Sequence, residues 1–250
     1  MRPEPPHAGL RIEELALFLD VDGTLLEIAP TPDRVVVEPE LQTLLRTLVA
    51  RTNGAVAFVS GRSIAVLDGL FHPLQLPAAG LHGFERRSAN GTYHRRRLPP
   101  GELLSKGRET LRAFVACHPR LVLEDKRFAI AVHYRQAMHL EQLVLREVSS
   151  VAAMLAPDFE IQRGKCVVEL RPAGASKASA IAEFMKEPPF TARRPVCLGD
   201  DITDESAFEW VNAHGGITVA VGTARHTAAI AHLHSVRAAR LWLTRLAEAS

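Results

Sequence analysis

Cysteine is scarce. Cys117, Cys166 and Cys197 are the only three in 250 residues, they lie far apart, and no Cys-x-x-Cys pair exists. That excludes a disulfide framework and a zinc-ligand set, and it suits a reducing cytosol. No apolar run approaches the length that spans a bilayer. The start, Met1-Arg2-Pro3-Glu4-Pro5-Pro6-His7, has no apolar core of a signal peptide. A cytoplasmic protein without a membrane partner is therefore expected. An excess of one charge is missing too: 30 Lys and Arg against 28 Asp and Glu leave a net charge of +2, so nothing argues for a nucleic-acid footprint. Neither Gly-x-x-x-x-Gly-Lys nor Gly-x-Gly-x-x-Gly occurs, which removes the usual nucleotide cradles. Internal repeats are absent, and the proline-rich start, the only biased segment, is expected to be frayed.

What is present is a hydrophobic fraction of 47%, enough for a real core in one large domain or two smaller ones. The apolar run Leu15 to Leu19 stops at Asp20-Val21-Asp22-Gly23-Thr24. It is too short for a typical helix and reads as a buried parallel strand. Residues i and i+2 of a strand point to one side, so Asp20 and Asp22 both face the strand's carboxyl end, where open α/β sheets bind ligands. Glu27 to Val37, with Pro30 and Pro32, reads as a loop or flap. Pro39 opens a helix patterned by Leu41, Leu44, Leu45, Leu48 and Val49. Ala55 to Val59 is a second buried strand and ends in Ser60-Gly61-Arg62; a short helix from Ser63 to Leu70 and a strand from Pro77 to Leu81 follow. This is the β-α-β rhythm of a doubly wound sheet.

The texture changes near Pro99-Pro100-Gly101. A helix over Glu102 to Cys117, strands over Leu121 to Lys126 and Phe128 to Arg135, a helix from Met138 to Leu155, and strands over Phe159 to Arg163 and Cys166 to Arg171 make an αββαββ segment. Strands joined by tight turns pair antiparallel. The expected organisation is thus an α/β core over 1–98 and 173–250 with an α+β domain inserted at 99–172. Ser176 then caps a helix that begins with Lys177. A buried strand from Pro195 to Gly199 ends at Asp200-Asp201-Ile202-Thr203-Asp204-Glu205, and Ile217 to Val221 is expected to be the last strand, before a closing helix through Leu241, Leu243 and Leu246. Trp210 and Trp242 are read as packing.

Three buried strands thus end in Asp20/Asp22, Ser60-Gly61-Arg62 and Asp200/Asp201/Asp204, and such ends converge on one crevice. Like charges in close approach repel by about 4 kcal/mol per pair at an effective dielectric of ~20. A hard divalent cation resolves this, and an all-oxygen site favours Mg2+. A cation, a nucleophilic carboxylate, a lysine and a serine together describe phosphoryl transfer.

Asp-x-Asp-Gly-Thr at 20–24, Ser60, Lys177 and Gly-Asp-Asp-x-Thr-Asp at 199–204 resemble, in that order, the motifs of the haloacid dehalogenase superfamily of phosphatases. Within it the chain is similar to the trehalose-phosphatase family from about Leu15 to Leu246. The narrower pointers are Ser60-Gly61-Arg62, Gly80-Leu81-His82-Gly83, Glu124-Asp125-Lys126, His133-Tyr134-Arg135, Gly164-Lys165, Val168-Glu169-Leu170-Arg171-Pro172 and the 199–205 stretch. The resemblance implies a Rossmann-like core with a cap domain, a Mg2+ cofactor, a sugar-phosphate substrate and a monomer. It implies that Asp20 is the nucleophile and a metal ligand, and that Asp22 is the general acid/base and offers its backbone carbonyl to the metal. Ser60 and Lys177 would hold phosphoryl oxygens, Asp200 would bind Mg2+ directly, and Asp204 would do so through water or orient Lys177. Substrate contacts are expected at Asp20, Val21, Asp22, Ser60, Gly61, Arg62 and His82, with Glu124, Lys126, Lys165 and Glu169 of the cap gripping sugar hydroxyls. One departure is Ala178 after Lys177, where the family often has Gly; a helix start accepts Ala.

Plainer roles stand beside several of these. Arg62 binds substrate or pairs with a carboxylate; His82 lines the sugar pocket or makes a structural hydrogen bond; Asp201 is a helix cap. Glu124 and Lys126, two apart on a strand, grip sugar or form a cross-strand ion pair. His133 and Arg135 read as cap structure, and the arginines at 86, 87 and 95–97 as a solvated face. The competing functions are a phosphatase for sucrose phosphate or mannosyl-phosphoglycerate, a phosphotransferase, and a non-catalytic sugar-phosphate sensor; the intact Asp20/Asp22 pair speaks against the last.

Overall fold

The computed structural model describes residues 2–7, 9–28, 35–96, 101–125, 129–164, 166–223 and 226–248. The chain divides into two compact units, Met1–Arg95 with Ser176–Ser250 and Arg96–Ala175.

In the first unit the chain forms β1 (Leu15–Leu19), α1 (Pro39–Arg51), β2 (Val56–Val59), α2 (Ile64–Leu70), β3 (Ala78–Gly80), β4 (Glu85–Arg87) and β5 (Tyr93–Arg95). The second unit holds α3 (Gly101–Ala116), β6 (Val122–Asp125), β7 (Ile130–His133), α4 (Glu141–Met154), β8 (Phe159–Gly164) and β9 (Val167–Pro172). The first unit resumes with α5 (Lys177–Phe184), β10 (Arg194–Gly199), α6 (Glu205–Ala213), β11 (Ile217–Val221), β12 (Ala231–Leu233) and α7 (Val236–Glu248).

Its sheet has the order β12-β11-β10-β1-β2-β3-β4-β5, parallel from β12 to β3 and antiparallel beyond. Helices cover both faces, which is why β1 reads as an unbroken apolar run. Leu15, Leu17 and Leu19 face one core with Leu41 and Leu45 of α1 and Leu243 and Leu246 of α7. Ala16 and Phe18 face the other with Ile181 and Phe184 of α5 and Phe208 of α6. Pro39 occupies the first turn of α1, and Ser63 caps α2 by accepting from the Val66 amide at 3.3 Å. The described part of the expected loop at 27–37 carries no helix or strand; 29–34 lie outside the described residues.

In the second unit a four-stranded antiparallel sheet of order β6-β7-β9-β8 packs one face on α3 and α4, through Leu111, Ile130, Val132, Val144, Val148 and Leu170. The α+β pattern expected here is present. On the opposite face Glu124 pairs across to Ala131, Ala131 to Glu169, and Glu169 to Gln162, so two expected sugar-gripping acids share one row.

Four expectations are corrected. Ile217–Val221 is not the last strand: β12 adds beyond it, and three residues with a central His232 are too few to show a strand pattern. No strand was expected between Leu81 and Pro99, yet β4 and β5 form a hairpin whose polar composition suits an edge position. Arg86 and Arg87 are not on a solvated face, although Arg95 and Arg96 are exposed as expected: Arg86 pairs with Glu187 at 2.5 Å above the Phe184 ring, and Arg87 forks onto Asp68 at 2.6 and 2.7 Å. Nor is the proline-rich start frayed: the His232 amide donates to the Pro3 carbonyl at 3.0 Å, and the Trp242 indole N–H donates to the carbonyls of Pro5 and Pro6 at 3.1 and 3.2 Å. Among the described residues no helix is long and apolar enough to cross a membrane.

Trp242→Phe keeps the ring in the core but deletes that donor. It is expected to lower the unfolding free energy by about 1 kcal/mol in urea titration; an unchanged midpoint would show that the tail contributes nothing.

Candidate active site

Parallel strands place their carboxyl ends along one edge, and β1, its neighbour β10 and the helix start after Ala175 bring four charged groups together there. Lys177 is the first residue of α5, where Ser176 and Ser179 form a capping box: the Ser176 hydroxyl accepts from the Ser179 amide at 3.0 Å, and the Ser179 hydroxyl accepts from the Ser176 amide at 3.1 Å. That cap fixes the helix entry and so aims the lysine. Its ammonium donates to Asp20 Oδ1 at 2.8 Å and to Asp204 Oδ1 at 2.6 Å, all three side chains being buried.

Asp204 Oδ2 accepts from the amides of Asp200 and Asp201 at 3.2 Å each, which folds the loop after β10. Asp204 thus holds Lys177 with one oxygen and shapes the Asp200 loop with the other. Asp201 is the cap it was read as, accepting from the Ile202 amide at 2.7 Å. Gly23 turns the chain after Asp22 with φ +81, and the Asp200 carboxylate lies against it: a Cβ there would come within 2.1 Å of Asp200 Oδ2. Only glycine meets both demands.

Asp20, Asp200 and Asp204 each offer an oxygen within 4.8 Å of the others. Three carboxylates against one ammonium leave surplus negative charge in a buried place. Burial, then the neighbouring carboxylates, push the Asp200 carboxyl up to about 8. Burial pushes Asp204 up to about 7, and Asp20 is displaced upward as well, although Lys177 opposes the shift in both. Burial alone would lower the Lys177 ammonium, but Asp20 and Asp204 outweigh it and hold the lysine protonated. An all-oxygen set with excess negative charge fits a hard divalent cation.

The remaining candidates are placed as follows. Asp22, two residues from Asp20, takes a different partner, Arg62, whose Nε lies 2.6 Å from Asp22 Oδ2. Val21 is buried, and its carbonyl accepts from the amides of Leu25 and Leu26 at 2.9 Å. Ser60 is buried; its hydroxyl accepts from the Arg62 amide at 3.1 Å and its carbonyl from the His82 amide at 3.0 Å. His82 sits in a left-handed turn with φ 55, its ring against Gly61, where a Cβ would meet the ring at 2.7 Å. In the second unit the Glu124 carboxylate hydrogen-bonds His133 Nε2 on the neighbouring strand at 2.9 Å. Glu169 is buried on β9. Lys126 and Lys165 lie outside the described residues. Two groups escaped the sequence reading. Thr24, the last residue of the first motif, donates its hydroxyl to Asp20 Oδ2 at 3.0 Å. Glu85, with no motif to flag it, accepts from the Ile64 amide at 2.6 Å and so anchors the start of α2.

A family model described as trehalose-phosphatase matches residues 18–236, a span that holds every one of these groups. The chain belongs to the trehalose-phosphatase family. It is 45% identical over 208 residues to a trehalose-6-phosphate phosphatase of Escherichia coli (strain K12), covering 83% of this chain and 77% of the relative. It is 43% identical over 212 residues to a probable trehalose-phosphate phosphatase of Sinorhizobium fredii, covering 84% and 79%. The C-terminal domain of a trehalose-6-phosphate phosphatase from C. albicans has the same fold, with a TM-score of 0.86, 22% identity, and coverage of 100% of this chain and 99% of that one. A haloacid dehalogenase-like hydrolase from B. subtilis shares the fold at a TM-score of 0.64, with 18% identity and coverage of 93% of this chain and 99% of that one.

Raised carboxyl pKa values mean that the metal-free fold binds more protons than the unfolded chain between the ordinary carboxylate range and pH about 8. Its stability therefore falls as pH rises through that window. Added Mg2+ is expected to raise the melting temperature more at about pH 8 than at about pH 6, and Asp200→Asn to flatten the difference; a pH-independent Mg2+ effect in the wild type would contradict the assignment. Gly23→Ala should abolish the Mg2+ shift by displacing Asp200.

Proposed function

We infer that this protein is a Mg2+-dependent phosphatase that hydrolyses trehalose 6-phosphate to trehalose and inorganic phosphate, the closing step of trehalose biosynthesis. The observation that carries the reading is the buried Asp20–Lys177–Asp204 cluster with Asp200 beside it, in a chain of this family. Phosphoryl transfer needs positioned charge of this kind more than covalent machinery. Three unpaired cysteines suit the cytoplasmic setting in which a phosphorylated sugar is handled.

The chemistry divides among the residues. Asp20, its orientation fixed by Lys177 and Thr24, attacks phosphorus and becomes an aspartyl-phosphate. Asp22 gives a proton to the departing sugar oxygen and later takes one from the water that releases phosphate. Ser60 and Lys177 hold phosphoryl oxygens as charge shifts onto them. Asp20, Asp200 and Asp204, with the Asp22 backbone carbonyl, would hold Mg2+. When bound, the cation supplies the positive charge that lets an anionic carboxylate and an anionic phosphoryl group approach. The second unit serves as the cap, and its polar sheet face, with Glu124 and Glu169 and with Lys126 and Lys165 beside them in sequence, grips the disaccharide hydroxyls.

A phosphate-release screen over disaccharide and monosaccharide phosphates should rank trehalose 6-phosphate first, with activity lost in chelator and in Asp20→Asn. Preference for another sugar phosphate would replace the substrate, and activity in chelator would remove the metal. Glu169→Ala should cost more on trehalose 6-phosphate than on a small artificial ester; equal losses would take Glu169 out of sugar recognition.

A further inference from the structure

The two acids at the end of β1 are held by different cations. Asp20 is tied to Lys177, whereas Asp22 is gripped side-on by Arg62: Nε reaches Oδ2 at 2.6 Å and Nη2 reaches Oδ1 at 2.7 Å. This is the two-point fork of a guanidinium on a carboxylate, which fixes direction as well as distance. Side-chain exposure is 13% for Arg62 and 36% for Asp22, so the pair is shielded on the arginine's side and open on the acid's.

The arginine stands on a braced loop. Its amide donates to Ser60 Oγ at 3.1 Å, and its carbonyl accepts from the Leu81 amide at 3.0 Å. Two residues on, Glu85 holds the Ile64 amide at 2.6 Å. Leu81 and His82 both adopt left-handed backbone, at φ 50 and 55, which side chains other than glycine rarely do. Outliers of this kind persist only where surroundings over-determine them and cluster at functional sites. The turn therefore maintains the loop geometry from which Arg62 reaches across to Asp22. The carboxylate trio of Asp20, Asp200 and Asp204 does not include Asp22, so its side chain is left for work other than holding a cation.

We propose that Arg62 is a positioning residue for the acid–base step, its guanidinium fork holding the Asp22 carboxyl group in the one orientation from which it exchanges a proton with the departing sugar oxygen. The proposal rests on the reading of Asp22 as the acid/base. In that step the bond from Asp20 to phosphorus forms as the bond from phosphorus to the sugar oxygen breaks, and the Asp22 proton passes to that oxygen. When water then attacks phosphorus and releases Asp20, its proton returns to Asp22. Arg62 neither gives nor takes a proton. A lysine would not replace it, because an ammonium is a point donor and leaves the carboxylate free to rotate.

The test compares KM and the single-turnover rate of leaving-group release, the step before water attacks the aspartyl-phosphate, for trehalose 6-phosphate and for p-nitrophenyl phosphate, whose leaving group departs without a proton. Asp22→Asn should slow the sugar phosphate by about 10²–10⁴-fold and the nitrophenyl ester far less. Arg62→Met is expected to share that selectivity, with the release rate on the sugar phosphate down about 10²-fold and KM little changed. Arg62→Lys should recover only part of the loss, and the double variant should be no slower than Asp22→Asn alone. The ratio of the two rates on one preparation does not depend on the folded fraction, so a destabilised variant still reports. Equal losses on both esters, a loss confined to KM, or independent losses in the double variant would overturn the proposal and make Arg62 a phosphate ligand or a structural residue. An Asp22→Asn variant without leaving-group selectivity would instead remove the acid/base reading, and the proposal with it. Absence of turnover on trehalose 6-phosphate would fault only the substrate, since the same comparison runs on whichever sugar phosphate is cleaved.

Discussion

A single buried ammonium holds the catalytic end of the sheet together. Lys177 donates to Asp20 and Asp204 from the first turn of α5, with all three groups out of water. Removing one partner from such a cluster leaves an uncompensated buried charge, at a cost of about 3–5 kcal/mol. The surrounding sequence is written around that constraint. Ser176 and Ser179 set where the helix begins, Asp204 spends its second oxygen on the Asp200 loop, and Gly23 leaves room for the Asp200 carboxylate. With Asp200 included, the acids still outnumber the ammonium, and this surplus is the feature that makes a divalent cation the natural counter-charge rather than an addition.

The two carboxylates of the first motif, two residues apart on a strand, are separated by their partners more than by distance. Lys177 and Thr24 fix Asp20, the group proposed to attack. Arg62 fixes Asp22, the group proposed to move protons. Each cation comes from a different loop at the same sheet edge, so the parallel architecture is what allows one tripeptide to serve two chemical roles. The arrangement also explains why the core strands must be apolar on both faces: only a sheet covered by helices on each side gives the edge a rigid frame.

Much of this was legible in the sequence, for a physical reason. Buried parallel strands are short apolar runs, and Leu15–Leu19, Val56–Val59 and Arg194–Gly199 each end abruptly in polar residues whose desolvation needs an explanation. The inserted αββαββ pattern was equally plain, because amphipathic helices and tight turns leave periodic signals. What escaped detection was structure without periodicity. β4, β5 and β12 are three residues long and polar or mixed, so no alternation could announce them. The prolines of the start suggested fraying, but their carbonyls still accept hydrogen bonds, and Trp242 uses them. Arg62 was seen as either a substrate ligand or an ion-pair partner; its contact with Asp22 spans 40 positions and could not be read from either motif alone.

The central claim is that Asp20, held by Lys177, is the nucleophile that accepts the phosphoryl group. Acid-quenching the enzyme during turnover of trehalose 6-phosphate and mapping its peptides by mass spectrometry tests this directly. The account predicts a phosphoryl group on the Asp20 side chain and on no other. A phosphoryl group recovered on any other residue would contradict it.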